Sequence, residues 1–155
     1  MSIDLINFGI LLKESIFGIC VMGIVAVINI YSFVWISLAY REKLSDGVFL
    51  GKHYEILRYV AFTMLLVLSM LASLAIWVVA LMSFGFVSEW LLALLFTASF
   101  FTTVGNISVN FPFDWRLIPS MIAFSGLFSF AWATGSSMSM ASHLISHFEK
   151  QKSDK

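Results

Sequence analysis

Phe100-Phe101-Thr102-Thr103-Val104-Gly105-Asn106-Ile107-Ser108 stands between an apolar stretch too short to cross a bilayer and a full-length hydrophobic run. In a chain this hydrophobic, such a polar interruption reads as a re-entrant loop, a half-span that enters a membrane and leaves on the side it came from. Irregular backbone at membrane depth must be shielded by protein or line water, because each unpaired amide or carbonyl costs several kcal/mol in hydrocarbon. This stretch is therefore where function is sought first.

The residues before it predict a short helix. Ser88 is a good N-cap and Glu89 places a negative charge in the first turn, where the helix dipole favours it. The helix runs from Trp90 to Phe101, about 18 Å at roughly 1.5 Å per residue, and aims its partially negative C-terminus at the membrane centre. Gly105 supplies backbone freedom for the return, and Thr102, Thr103, Asn106, Ser108 and Asn110 supply polar groups for a wet or hydrogen-bonded passage. Pro112 and Asp114 end the loop, and Pro119 suits the first turn of the next helix.

Further outward, composition fixes the class. Of 155 residues 60% are hydrophobic and 12% charged, and the mean hydropathy is +0.95, the profile of an integral membrane protein. Uncharged runs cover Ser15 to Ala39, Tyr59 to Ser88, Trp90 to Phe113 and Leu117 to Ser142, each reaching the roughly 20 residues a spanning helix needs. The third is apolar and helical only to Phe101. The expected fold is all-α, with three transmembrane helices plus a re-entrant pore helix and its loop.

Charge asymmetry tests that count separately. Arg41, Lys43, Lys52 and Arg58 lie in the first connection and Lys150, Lys152 and Lys155 in the tail, whereas Phe84 to Arg116 has Arg116 as its only basic residue. The positive-inside rule makes the first connection and the C-terminus cytoplasmic, with the N-terminus and the polar loop outside. Three spans satisfy this parity and four do not. Lys13, beside Glu14, then sits at the outer boundary, where a long side chain can snorkel.

Several classes are set aside. Met1 to Leu12 contains Asp4 and lacks a basic n-region, so it is not expected to be a signal peptide. The single Cys20 reads as a small buried apolar residue. A net charge of zero without a basic stripe offers nothing to nucleic acid. No nucleophile, carboxylate pair or phosphate loop is evident, which argues against an enzyme. Ser45-Asp46-Gly47 marks a turn in the long polar connection Tyr40 to Arg58, and His53, near Glu55 and Arg58, reads as part of a solvated helix start.

Thr102-Thr103-Val104-Gly105 resembles the first part of the Thr-Val-Gly-Tyr-Gly filter of potassium channels, whose backbone carbonyls replace the ion's hydration shell. The resemblance extends over Tyr59 to Ser142, and Asp114-Trp115-Arg116-Leu117-Ile118 through Ser125-Gly126 to Trp132-Ala133-Thr134 is similar to the inner helix of bacterial two-transmembrane channels, here with an extra N-terminal span. It implies an outer helix 59–84, a pore helix and filter 88–108 and an inner helix 117–142, preceded by an N-terminal span and connection 1–58 and followed by a cytoplasmic tail 143–155. It also implies a filter of Thr102, Thr103, Val104, Gly105 and Asn106, a homotetramer, and K or Na as permeant ions with no other cofactor.

The departures lie in the outer half of that filter. Asn106 stands where the family has Tyr, Ile107 where it has the second Gly, and Ser108 where an Asp often follows. A β-branched Ile at a position needing positive φ would be an outlier, so the loop must be remodelled and the carbonyl stack shortened. The expectation is a weakly selective cation pore in a plasma membrane, the inner membrane of a bacterium. The alternative is a non-conducting scaffold or an accessory subunit of a partner channel.

In the last span Gly126 is read as a hinge or as a packing residue, and Thr134, Ser136 and Ser139 as cavity-lining hydroxyls or as groups bonded back to their own helix. His143 and His147, four apart, share one helical face at the inner boundary; a metal, a proton-sensitive ring and simple solvation are all open to them.

Overall fold

The computed structural model describes residues 2–45, 51–105 and 117–153. They form four helices, α1 (Ser2–Ser45), α2 (Lys52–Ser83), α3 (Trp90–Phe101) and α4 (Ile118–Ser153). Segments Leu11–Leu44, Lys52–Ser83 and Ile118–Lys150 are long and apolar enough to cross a membrane, and Trp90–Phe101 is a shorter apolar helix. At roughly 1.5 Å per residue α2 and α4 are about 48 and 54 Å long, so their ends project beyond a hydrocarbon core about 30 Å thick.

Each long helix buries one stripe with the three-to-four-residue period that places side chains on one face. On α1 the stripe includes Glu14, Val21, Val25, Asn29, Phe33, Ile36, Tyr40 and Leu44; on α4 it includes Ile118, Ile122, Ser125, Ser129, Ala133, Met140 and Leu144. The remaining circumference is apolar yet exposed, with Tyr31, Trp35, Leu68 and Phe130 uncovered. A surface of that kind needs lipid or a neighbouring protein against it.

The core falls into two apolar clusters. One joins Phe17, Val21, Val25, Trp77, Leu81, Phe96, Phe101, Ile118 and Ile122. The other joins Phe33, Ile36, Tyr40, Leu44, Leu66, Ala133, Met140 and Leu144. Between them lies a polar waist. Asn29 Nδ2 donates to Ser129 Oγ at 2.7 Å, and Ser73 Oγ donates to Asn29 Oδ1 at 2.8 Å, so one amide ties α1 to both α4 and α2. Ser129 Oγ also donates to the Ser125 carbonyl.

The two ends of the bundle differ in chemistry. At one, Arg58 donates to the Lys43 carbonyl at 2.7 Å, Arg41 donates to Ser139 Oγ at 3.0 Å and Lys52 lies over the Phe148 ring. This gathers the cations of the first connection and of α4's last turns at a single end. At the other, the Phe17 ring packs 4.4 Å from Phe84 and 5.7 Å from Phe86, while Glu14 Oε1 accepts from the backbone N–H groups of Leu117 and Ile118. Since Glu14 and Phe17 are neighbours on α1, the segment between α2 and α4 begins and finishes at the same end of the bundle.

One expectation about a helix boundary is revised, and two helices run on past the apolar runs that predict them. α3 starts at Trp90 as expected, but its N-cap is Glu89 in an extended conformation (φ −100°, ψ 120°) with no side-chain cap bond, not Ser88. α4 continues without a break past Ser142 to Ser153, so residues 143–153 of the tail are helical. α1 reaches Ser45 and α2 begins at Lys52, leaving little of the first connection outside helices; Asp46 and Gly47 of the expected turn lie outside the described residues.

Candidate functional site

The site is built where α3 stops. α2 ends in a Schellman arrangement: Gly85 takes φ 72°, its N–H donates to the Met82 carbonyl and the Phe86 N–H donates to Leu81. α3 closes with a different residue in the left-handed position and a longer return bond. Thr103, at φ 63°, occupies the left-handed position and donates its N–H to the Phe100 carbonyl at 2.9 Å. A β-branched side chain is a genuine outlier there, costing of order 1–3 kcal/mol. Gly105, at φ 64°, then turns its N–H back to the Ser99 carbonyl at 3.0 Å.

Hydroxyl groups complete this cap. Thr102 Oγ1 donates to the Ala98 carbonyl at 2.7 Å and Ser99 Oγ to the Phe96 carbonyl at 2.9 Å. The Ala98, Ser99 and Phe100 carbonyls are thus covered by local donors, while Thr102, Thr103, Val104 and Gly105 are all exposed, Val104 by 70%. Asn106, Ile107, Ser108, Asn110, Pro112 and Asp114 lie outside the described residues.

α3 is held at its depth by α2 and α4. Ala93, Phe96, Thr97 and Phe101 form its buried face. Phe101 meets Gly126 of α4 so closely that a Cβ on the glycine would stand 1.9 Å from the Phe101 carbonyl oxygen. Gly126 is about 12 Å along α4 from Ile118 at roughly 1.5 Å per residue. The α3 end therefore stops well inside the bundle, on the side of the Asn29 waist where Glu14 and Phe17 lie.

The other expected site residues are distributed along α4. Thr134 is exposed and donates its hydroxyl to the Phe130 carbonyl of its own helix at 2.9 Å. Ser136 and Ser139 are half-buried, and Ser139 Oγ accepts from Arg41. Ser137 shares a 2.9 Å hydrogen bond with Tyr59 of α2. These residues do not converge with Thr102 to Gly105.

No protein-family model matches the chain, and neither a curated protein nor a solved structure does. Among the described residues no group of three or more His, Cys, Asp or Glu could hold a metal ion.

Three contributors escape a reading along the sequence. Asn29 is one polar residue in a long apolar run, and its partners lie 44 and 100 positions away. Glu14 is fully buried and caps a helix more than a hundred positions away. Arg41 faces His143 and His147 across a cavity that no local pattern announces.

Proposed function

We propose that the chain is the subunit of a pore-forming cation channel of potassium-channel-like architecture, weakly selective, in which α3 is a re-entrant pore helix and Thr102 to Gly105 begin the filter. One observation carries this reading. The segment between α2 and α4 enters and leaves at the same end of the bundle, and its short apolar helix stops inside, against Gly126, with its polar turn exposed.

The physical support is as follows. An exposed Thr-Thr-Val-Gly turn at that depth would face hydrocarbon in a lone subunit, which its backbone does not tolerate. Four copies around an axis would turn this liability into a ring of carbonyls at the partially negative ends of four helices, a setting that favours cations. The exposed Val104, Phe124, Leu127 and Phe128 would be covered by neighbours or lipid in the same arrangement. The cationic end would face the cytoplasm of a plasma membrane, putting the C-terminus inside and the N-terminus outside.

A second reading, a non-conducting scaffold or accessory subunit, is favoured by the Gly105 N–H bond to Ser99, which coils the turn onto the helix end instead of extending it. Reconstitution distinguishes the two. Purified protein should run as a tetramer in mild detergent and should release K and Na from liposomes above the protein-free rate. A tetramer without flux supports the scaffold, and a well-folded monomer without flux removes both.

A further inference from the structure

A cavity of about 260 Å³ opens between α1 and α4 at the cationic end, lined by Arg41, Leu44, His143, Ser146, His147 and Lys150. The four α4 residues are spaced three, four and seven apart and so share one face. Arg41 reaches them from α1, braced by its 3.0 Å bond to Ser139 Oγ. No carboxylate is among the lining residues, so the cavity presents donors and positive charge without an internal counter-ion.

A second cavity, of about 300 Å³, lies farther along the same two helices and is lined by residues including Ile19, Gly23, Ala26, Ile30, Phe128 and Trp132. Its walls are almost wholly apolar. No residue of α2 lines either cavity, so both open on the side of the α1–α4 seam away from α2. Ile30 and Arg41, like Trp132 and His143, are about 16 Å apart at roughly 1.5 Å per residue, within the reach of an acyl chain. Ser139 lies about 32 Å along α4 from Ile118, close to the thickness of a hydrocarbon core about 30 Å deep.

We propose that the α1–α4 seam binds an anionic phospholipid, its phosphate among Arg41, His143, His147 and Lys150 and an acyl chain running toward the apolar cavity. Basic pockets between membrane helices recognise headgroup phosphate, and guanidinium suits phosphate geometry. The inference goes beyond the channel reading and does not depend on conduction.

The test is native mass spectrometry of the detergent-purified full chain titrated with phosphatidylglycerol, phosphatidylcholine or inorganic phosphate. Phosphatidylglycerol should be retained over phosphatidylcholine. Arg41→Gln with Lys150→Gln should weaken it roughly 25-fold, about fivefold per charge removed. Lys152→Gln, which removes a charge outside the cavity, should bind nearly as wild type. Ala26→Phe should weaken the lipid by filling the seam. Equal retention of the two lipids, or the same loss in Lys152→Gln as in the cavity variant, overturns the site. Binding of inorganic phosphate with the same charge dependence, with Ala26→Phe silent, would make free phosphate the ligand and overturn the lipid.

Discussion

Gly126 of α4 lies against the Phe101 carbonyl of α3, at a distance that leaves no room for a Cβ. The obstructing atom is backbone in the last turn of a helix, so it cannot swing aside as a flexible side chain can. Gly126→Ala should push α3 outward and destabilise the protein by about 1–3 kcal/mol. Gly135→Ala, where nothing stands within 4 Å of the added methyl, should be neutral or mildly stabilising. Thermal unfolding in detergent reads both, and equal behaviour of the two variants would contradict the packing described.

Asn29 is the fastening of the waist. Asn29→Ala should destabilise by about 1–2 kcal/mol, the upper part of the range for polar contacts between membrane helices, because it strips partners from Ser73 and Ser129 together. Ser73→Ala should cost less, since Asn29 keeps Ser129. A double-mutant cycle over Asn29 and Ser129 should give a coupling energy above about 0.5 kcal/mol, and strict additivity would show that the bond carries no weight.

Glu14 caps α4 from another helix, accepting from Leu117 and Ile118 at an N-terminus where a carboxylate also meets the favourable end of the dipole. Glu14→Ala should cost about 2 kcal/mol. Glu14→Gln keeps an acceptor oxygen and should recover part of that loss. Unfolding temperatures of the pair check the order, and a Gln variant no better than Ala would point to charge alone.

Topology has its own check. In a Cys20→Ser background, single cysteines at Ser45 and Ser153 should be labelled from the same face of sealed vesicles, because Arg41, Lys43 and α4's last turns meet at one end. The positive-inside rule makes that face cytoplasmic. Labelling of the two sites from opposite faces would break the three-span arrangement.

What could be read from the sequence follows from the range of the forces involved. The bounds of α3, Trp90 to Phe101, were legible because the apolar run ends abruptly in Thr-Thr-Val-Gly. The long helices were legible because bilayer thickness sets their length. Their inner reach was not: α4 runs through His143 and His147 to Ser153 because its Leu144 and Met140 pack against Tyr40 and Leu44 of α1, a contact with no trace in local composition. Asn29, Glu14 and the Arg41 cavity depend on register between helices, which one chain's spacing does not specify. The left-handed Thr103 was hidden differently, since residue preference points to glycine or asparagine at such a cap.

The claim that ions pass the turn after α3 is tested most directly by flux through Gly105→Val in liposomes, beside wild type matched for tetramer content. Gly105 holds φ 64° and its N–H reaches Ser99, so a β-branched residue there should break the turn and crowd the ring. The account predicts K and Na flux for wild type, loss of both in Gly105→Val, and a shift toward K when Asn106→Tyr and Ile107→Gly are combined. Wild-type flux that survives Gly105→Val unchanged, with the same K to Na ratio in the double variant, would show that ions do not cross here.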